Sequence, residues 1–340
     1  MSGNYAAGLS KYANKGILGL PEHEDSPEFI RKKISLLVQM IRSAQHVVVH
    51  TGAGISTSAG IADFRGPKGI WTAEKKKIAP ATSKPFDEVV PTYTHMALVE
   101  LVRQNVVQFV ISQNIDGLHL RSGLSPGHLA EMHGNIFMER CRKCRRLYTR
   151  KTLVPTIGVK PTGGICEALN ARGSPCRGVL VDTMLDWKSP LPLEDLDAAT
   201  LNAKAADLNI VLGSTMQITP AGDLPRSRKQ FDPNAKFVIC NLQQTKFDGD
   251  ADLIMRAKVD DIFAAVMAEL GLKAAPYSKE TDPVLATTNE RKEFVRALKH
   301  PPEHRVRPLT ATDEETKPEI VPKKVEKSRK RKFDEENDLG

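Results

Sequence analysis

The sequence contains no long apolar run. No stretch of its 340 residues approaches the ~18 uninterrupted apolar residues of a membrane helix. The N-terminal segment MSGNYAAGLSKYANKG lacks the apolar core of a secretory signal. These absences predict an intracellular protein that does not associate with a membrane. Structural disulfides are rare in that setting, so the five cysteines need an explanation other than pairing.

Aromatic residues are also scarce, at 5% of the chain, although the hydrophobic content of 40% is that of a globular protein with a core. Lysine and arginine number 49 against 41 acidic residues, which gives a net charge of +8. This excess favours anionic partners. By itself it does not choose between nucleic acid, an acidic protein surface and a phosphate-bearing cofactor.

Helices and strands alternate through most of the chain. Apolar periodicity predicts helices at residues 26–44, 94–105, 193–207 and 259–271, and β-branched runs predict strands at 46–50, 106–112, 208–213 and 236–242. This alternation predicts an α/β fold, a Rossmann-like doubly wound parallel sheet. The sheet domain is expected to span residues 46–271, after an N-terminal extension and helix in residues 1–45.

Two segments break the alternation. Residues 134–187 carry four of the five cysteines among many glycines, prolines and basic residues, which predicts a small module inserted into the sheet domain. Residues 272–340 contain seven prolines and three aromatic residues, with little apolar periodicity. A segment of that composition buries too little surface to fold, so a disordered basic tail is expected there.

A glycine turn, Gly52-Ala53-Gly54, follows the first predicted strand. Glycines allow the backbone to approach a pyrophosphate, and the amides of a following helix start favour its negative charge. Thr57 stands where a dinucleotide-binding dehydrogenase has its third glycine, which disfavours hydride transfer. Taken alone, the turn is as consistent with a structural role as with phosphate binding.

Four cysteines have the spacing of a metal site. Cys141 and Cys144 are separated by two residues, and Cys166 and Cys176 follow. Four thiolates form a closed tetrahedral zinc shell with no position for water, so the metal would be structural rather than catalytic. The second pair, Cys166 and Cys176, is separated by nine residues, which is wide for a zinc site. The alternative is that the four cysteines are unrelated free thiols. Cys240, within FVICNL, is expected to be an apolar strand residue.

Further motifs resemble those of a known family, the sirtuins. They are residues 60–66 (GIADFRG), 112–119 (SQNIDGLH), 131–135 (EMHGN), the four cysteines, 213–215 (GST) and 241–243 (NLQ). They occur in the family's order over about residues 46–270. Residues 66–71 (GPKGIW), 171–178 (ARGSPCRG) and 185–187 (LDW) resemble its nuclear, chromatin-associated branch.

The resemblance implies an NAD-dependent protein-lysine deacetylase or deacylase that acts on histones and consumes NAD, giving nicotinamide and O-acyl-ADP-ribose. It implies that His133 is the general base, with Asn114 and Asp116 beside it, and that zinc occupies the four cysteines. The implied NAD-binding residues form one set: Ala53, Thr57, Asp63, Phe64, Arg65, Trp71, Gln113, His133, Gly213, Ser214, Thr215, Asn241, Gln243 and Val259. Mono-ADP-ribosyl transfer to protein and a non-catalytic NAD-sensing chromatin module remain alternatives.

The sequence departs from the family pattern at three places. Ala62 stands where sirtuins usually have proline, which predicts a looser cofactor loop. The usual Gly-Thr-Ser is Gly213-Ser214-Thr215 here, so the hydroxyl positions are exchanged. Residues 185–187 replace the usual Phe-Gly-Glu peptide-binding strand, which makes Asp186 and Trp187 the candidate substrate residues, with a packing role as the alternative for Trp187.

The predicted partners are acyl-lysine histone tails, in particular those of histone H3, and nucleosomes. Between residues 145 and 177 the only acidic residue is Glu167, among the bases Arg145, Arg146, Arg150, Lys151, Lys160, Arg172 and Arg177. Arg172 above all is expected to dock on nucleosomes. The run KKVEKSRKRK (323–332) predicts nuclear import or DNA contact, and hence a nuclear, chromatin-bound protein. Monomer and homodimer are both left open.

Overall fold

The computed structural model describes residues 2–286 and 289–301. The helices in this part of the chain are α1 (Ser2–Gly8), α2 (Pro27–Ser43), α3 (Ile70–Lys76), α4 (Tyr93–Arg103), α5 (Leu118–Arg121), α6 (Leu193–Ala205) and α7 (Val259–Glu269). The strands are β1 (Val47–Thr51), β2 (Phe109–Ser112), β3 (Leu129–Glu131), β4 (Met138–Cys141), β5 (Leu147–Arg150), β6 (Pro161–Ile165), β7 (Val179–Asp182), β8 (Leu208–Leu212), β9 (Lys236–Cys240), β10 (Leu253–Met255) and β11 (Arg291–Phe294).

Six strands form a parallel sheet in the order β3-β2-β1-β8-β9-β10. Counted along the chain, this is the 3-2-1-4-5-6 order of the Rossmann fold, so the predicted doubly wound sheet is confirmed. The strand order reverses between β1 and β8. Open α/β sheets bind ligands outside the carboxyl ends of the strands at such a reversal.

Helices cover both faces of this sheet. Leu37 of α2, Leu98 of α4 and Phe263 of α7 belong to the core on one face, and Ala199 of α6 belongs to the core on the other. All five residues of β1 are buried as a result. This explains why its sequence, VVVHT, begins with three successive valines rather than an alternation of apolar and polar residues. None of the described helices is long and apolar enough to span a membrane.

A second, antiparallel sheet lies beside the first and has the strand order β11-β5-β4-β7-β6. Four of its strands come from residues 138–182, within the segment that the sequence marked as an inserted module. Its small core includes Tyr148, Leu180 and three of the four clustered cysteines. A core this small needs a further crosslink, which a metal bound to the cysteines would provide.

Residues 272–301 differ from the prediction of a disordered tail that begins at residue 272. Asp282 is completely buried and pairs with Arg121 of α5 at 2.9 Å, and β11 adds an edge strand to the second sheet. Polar contacts to distant residues hold this segment, so its composition and periodicity did not reveal it. The rest of the predicted tail, including the basic run at 323–332, lies outside the described residues.

Candidate active site

The glycine turn lies at the reversal point of the parallel sheet. A Cβ atom on Gly54 would lie 2.6 Å from the Cα of Gly213, the residue that follows β8 with φ of +61°. Both positions therefore require glycine, because the backbones of the two strand ends touch. The turn continues as two short 3-10 helices, Ala53–Ile55 and Thr57–Ala59, where the sequence predicted a helix start.

A cavity of about 1000 Å³ opens above this turn. Every residue that the sequence assigned to cofactor binding, catalysis or substrate binding lines it. These residues come from seven separate stretches of the chain, between Ala53 and Val259. The fold thus brings the whole predicted set into one place, while the role of each residue remains a prediction.

His133 lies two residues beyond β3, on the wall of the cavity. Its Nδ1 lies 2.8 Å from the carbonyl oxygen of Gln113. A carbonyl oxygen only accepts hydrogen bonds, so Nδ1 carries the proton in the neutral ring and Nε2 carries the lone pair. Nε2 is buried and has no hydrogen-bond partner. His133 lines the cavity, and an unpartnered basic nitrogen on a lining residue suits a general base.

The electrostatics around His133 favour its neutral form. Burial is the largest cause and lowers the pKa of His133, and the positive charge of Arg65 lowers it further. The carbonyl of Gln113 acts in the opposite direction, because it stabilises the protonated ring. The imidazole is therefore unprotonated near neutral pH and able to take a proton.

Three polar residues after β2 form the floor of the cavity. Gln113 donates from Nε2 to the hydroxyl of Ser214 at 3.2 Å, and Asn114 donates from Nδ2 to the carbonyl oxygen of Gly52 at 3.0 Å. Asp116 accepts hydrogen bonds from Ser56 Oγ at 2.7 Å and from the backbone amide of Leu118 at 2.9 Å. Burial raises the pKa of Asp116, and these two donors oppose that rise.

Aromatic rings form one wall of the cavity. Phe64 packs on Trp71 with ring centroids 4.6 Å apart, and Trp71 packs on Trp187 at 5.0 Å. The guanidinium of Arg65 lies over the Trp71 ring at 4.6 Å, and burial lowers its pKa to about 10. The carboxylate of Asp63 accepts from the amide of Gly66 at 3.1 Å. This wall excludes water from one side of the cavity.

Residues 5–22 pass along the cavity, a placement that the sequence did not predict. Ser10 donates from both its backbone amide and its hydroxyl to Asp186 Oδ1, each at 3.0 Å. Tyr12 stacks on Trp187 at 4.8 Å. Both candidate substrate residues therefore contact the N-terminal segment. The aromatic residues Tyr5 and Tyr12, in a segment without apolar periodicity, were the only local signal.

The same segment reaches the predicted NAD residues at the other end of the cavity. Gln243 donates from Nε2 to the carbonyl oxygen of Leu20 at 2.6 Å, and Asn241 donates from Nδ2 to the carbonyl oxygen of Gln243 at 2.9 Å. Arg65 donates from Nε to the carbonyl oxygen of Lys15 at 2.9 Å. The N-terminal segment thus contacts both the predicted cofactor loop (residues 60–66) and the residues that follow β9.

The four cysteines lie together in the second sheet. Their sulfur atoms are all within 4.8 Å of one another, with Cys141 and Cys176 separated by 3.7 Å and Cys144 and Cys166 by 3.6 Å. A tetrahedral zinc ion with Zn–S bonds of about 2.3 Å places its sulfurs about 3.8 Å apart. The cluster can therefore hold zinc. Cys240 is buried in β9, as expected, and its sulfur lies 3.9 Å from that of Met255.

Comparison with known proteins identifies relatives of this chain. A model of the Sir2 family matches residues 79–220. The NAD-dependent protein deacetylase Sirt6 of Drosophila melanogaster is 51% identical over 285 residues, which cover 83% of this chain and 89% of that protein. The NAD-dependent protein deacetylase sirtuin-7 of Rattus norvegicus is 38% identical over 296 residues, covering 82% and 72% of the two chains. The chain belongs to the Sir2 family.

Solved sirtuin structures share the fold. A Sir2 complex with a p53 peptide and NAD+ aligns with this sirtuin at a TM-score of 0.53 and 29% identity, over 70% of this chain and 99% of the other. A Sir2 structure bound to acetylated peptide aligns at a TM-score of 0.53 and 28% identity, over 71% of this chain and 100% of the other. The family assignment confirms the resemblance read from the motifs.

Two departures of this sirtuin from the family pattern have a structural explanation. The backbone amide of Ala62 donates to Ser83 Oγ at 3.2 Å, a bond that the usual proline could not make. The hydroxyl of Ser214 accepts from Gln113 and from the amide of Met216 at 3.2 Å, so the exchanged position still has partners. Ala62 therefore gives this loop a hydrogen bond to Ser83 that a proline would lack.

The basic residues of the second sheet do not all lie on the surface. Arg150, one of the bases predicted to take part in docking, is buried and pairs with Glu139 at 2.7 Å. It is not available to a nucleosome, so the prediction is wrong for this residue. Arg172 is exposed on a turn whose amides at 172 and 174 donate to Asn170 Oδ1. Arg145 and Arg177 are exposed as well.

Proposed function

We propose that this NAD-dependent protein deacetylase removes acyl groups from histone lysines in chromatin. The observation that carries the chemical part is the unpartnered Nε2 of His133, a residue that lines the cavity and whose Nδ1 bonds to Gln113. The chromatin part is supported by the exposed arginines of the second sheet and by the net charge of +8.

The cavity fits the cofactor and an acyl-lysine together. The close-packed Gly54 and Gly213 add no side chains to the cavity, and the aromatic wall is apolar. Bound NAD would supply an activated ribose carbon that accepts the acyl oxygen as nicotinamide leaves. Ala53, Thr57 and Arg65 would hold the phosphates and Asn241 and Gln243 the adenosine end, while Asp63 would contact the nicotinamide amide.

Each predicted catalytic residue has a role that its contacts support. His133 takes a proton from a ribose hydroxyl at Nε2, because Nδ1 is already engaged. Asn114 and Asp116 are held at fixed positions by Gly52, Ser56 and Leu118, so they orient the ribose and nicotinamide side without having to move. Phe64 keeps water from the reacting carbon, where hydrolysis would waste the cofactor.

The four cysteines would hold a structural zinc ion. Their closed shell leaves no position for a water ligand, and the second sheet has little other core. Zinc would therefore act on the stability of the second sheet and not on the chemistry.

The protein would act in the nucleus, docked on nucleosomes by the turn that carries Arg172. The guanidinium fork pairs bidentately with either phosphate or carboxylate, so both DNA and an acidic histone surface are suitable partners. The run at 323–332 would add diffuse DNA binding. Its removal would reduce the salt dependence of DNA binding, by ~0.9 in the log–log slope for each phosphate that is no longer neutralised.

Mass spectrometry of an acetylated histone H3 peptide incubated with the full chain and NAD tests the chemistry. Loss of the acyl group together with O-acetyl-ADP-ribose formation supports the proposal. A gain of ADP-ribose by the peptide or the enzyme would favour mono-ADP-ribosyl transfer instead. An unchanged peptide with intact NAD would leave a non-catalytic NAD-sensing module and overturn the proposal.

Substitution of Arg172 tests docking separately. Arg172→Glu should slow deacetylation of nucleosomes while leaving a free acetyl-peptide unaffected. Lys204→Glu, an exposed base on α6, makes the same change of charge away from the second sheet and should leave both rates unchanged. Equal loss with peptide and nucleosome in Arg172→Glu would show that Arg172 supports folding or the active site.

A further inference from the structure

The turn that carries His133 is held by a residue of α6. The backbone amide of Glu131, the last residue of β3, donates to Asp195 Oδ1 at 2.9 Å. Asp195 lies in the first turn of α6 and is 2% exposed. His133 follows only two residues after Glu131. The Asp195 carboxylate therefore determines where the strand ends and the turn begins.

That carboxylate is itself held by Arg296. The guanidinium donates from Nη1 to Oδ1 at 2.8 Å and from Nη2 to Oδ2 at 2.5 Å. The side chains of Arg296 and Asp195 are 12% and 3% exposed. Two parallel bonds from a planar fork fix the orientation of the carboxylate as well as its position. Arg296 lies two residues past β11, beyond the predicted end of the catalytic domain.

The turn is also closed on itself. Asn135 donates from Nδ2 to Glu131 Oε1 at 2.7 Å, so the two ends of residues 131–135 are joined. Gly134 has φ of +87°, and a Cβ atom there would lie 1.9 Å from the carbonyl oxygen of Thr183. A turn this tightly enclosed moves as a unit. A displacement of Glu131 would therefore be transmitted to His133.

The charge of Arg296 acts on the same turn. Burial raises the pKa of Glu131 to about 7, and Arg296 is the largest influence that opposes the rise. The other charged groups that face Glu131 are Asp195 and Asp116, and both raise its pKa. Without Arg296, Glu131 would lose the cation that lowers its pKa, and Asp195 would lose its ion-pair partner.

We propose that Arg296 is a positioning residue for His133, acting through Asp195 and Glu131 to keep Nδ1 on the Gln113 carbonyl and Nε2 toward the cavity. The inference rests on the proposed function, in which His133 is the general base. Arg296 does not line the cavity, and its side chain donates to Asp195. It therefore differs from the residues that bind the cofactor.

The first test reads the ring of His133 without any turnover. In the full chain labelled with ¹⁵N-histidine, long-range ¹H–¹⁵N spectra report the tautomer of each imidazole, and His133→Ala identifies the His133 signals. The unsubstituted protein should show the Nδ1–H tautomer. Arg296→Ala should show a mixture of tautomers. Arg296→Lys retains the charge but not the planar fork that makes the two parallel bonds, so it should lie between the two.

The second test separates kcat from KM with NAD and an acetyl-peptide. Arg296→Ala should lower kcat on the order of 10- to 100-fold with little change in the KM of NAD, because the base is misplaced and the cofactor site is intact. Arg296→Lys should recover part of the lost kcat. The matched control is Arg291→Ala, which removes an ion pair of the same segment to Glu139 at 2.6 Å and should leave kcat and the tautomer unchanged.

Two results would overturn the inference. One is an unchanged His133 tautomer and kcat in both Arg296 variants. The other is an equal loss of kcat in Arg291→Ala, which would show that the segment stabilises the fold in general. If the unsubstituted protein has no NAD-dependent activity, the proposed function fails, whereas the tautomer measurement still decides whether Arg296 positions His133.

Discussion

Nδ1 of His133 donates a 2.8 Å hydrogen bond to the backbone carbonyl of Gln113. This bond joins the residue after β2 to the turn after β3, two neighbouring strands of the parallel sheet. It also selects one of the two neutral forms of the imidazole. The basic lone pair is consequently on Nε2, the nitrogen that has no protein partner.

Replacement of His133 should impair the acyl transfer without preventing the binding of NAD. We expect His133→Ala to lower the deacetylation rate by ~10²- to 10⁴-fold, the usual contribution of a general base. Calorimetric titration with NAD should still detect binding, because the glycine turn and the Asn241 region are untouched. Turnover of an acetyl-peptide at a near-normal rate would remove His133 from the mechanism.

The acid limb of the pH profile should reflect the environment of His133. Burial and Arg65 lower its pKa, so kcat/KM should fall with a midpoint below the ~6.5 of an unperturbed histidine. As the pH drops through that lowered pKa, Nε2 becomes protonated and can no longer accept a proton. A midpoint above that of free histidine, in a pH-rate profile with an acetyl-peptide, would contradict this.

That profile needs a folding control at each pH. Burial also lowers the pKa of His50 to about 4 and that of His119 to about 3. When histidines are held neutral in the folded state, the folded protein loses stability as the pH falls below their unfolded-state pKa of ~6.5. Circular dichroism at each pH separates acid unfolding from protonation of the base.

The zinc site should depend on a tyrosine outside its four ligands. The hydroxyl of Tyr148 lies 3.0 Å from the sulfur of Cys166, and the ring is buried. Tyr148→Phe retains the ring and removes the O–H···S bond, so zinc should pass to a chromophoric chelator ~10- to 100-fold more readily. The exposed Tyr93→Phe is the matched control. Equal release rates would show that the hydroxyl does not support the metal.

Loss of a ligand should have a larger effect on the same site. Cys176→Ser should lower zinc content and thermal stability together, because binding energy at a structural site is folding energy. Metal analysis and a thermal melt on the same preparation measure both. An unchanged zinc content would exclude Cys176 from the ligand set.

The segment after residue 271 should contribute to the free energy of unfolding. Asp282→Ala leaves the buried guanidinium of Arg121 without its carboxylate, which typically costs about 3–5 kcal/mol. Glu290→Ala removes an exposed partner of Arg291 and should cost about 1 kcal/mol or less. Denaturant unfolding measures both. Similar small losses would mean that residues 272–286 add little to the folded state.

Much of the fold was predictable from local patterns. The valines of β1 form a β-branched run that suits a strand covered on both faces, and the structure buries all of them. The helix predicted at residues 26–44 begins with Ser26 before Pro27, a typical helix start, and the Ser26 hydroxyl accepts from the amide of Phe29 at 3.3 Å. Such signals depend only on neighbours in the chain. The motif residues were recognisable for the same reason, since each motif is short and continuous.

The missed features all depend on residues far apart in the chain. Ser10 meets Asp186, Arg121 meets Asp282, and Arg296 meets Asp195. Single polar contacts of this kind leave no periodic pattern, because each needs one side chain at one position. Arg150 was mistaken for a surface base for the same reason, since nothing near it in the sequence reveals Glu139 as its buried partner.

The aromatic wall gives the protein an optical property of its own. The chain has two tryptophans, Trp71 and Trp187, and they lie side by side on the cavity with ring centroids 5.0 Å apart. All of the intrinsic indole fluorescence therefore originates at this site. Tyr12, stacked on Trp187, brings the N-terminal segment into the same group of chromophores. Emission intensity and anisotropy thus report on the cavity without any attached dye.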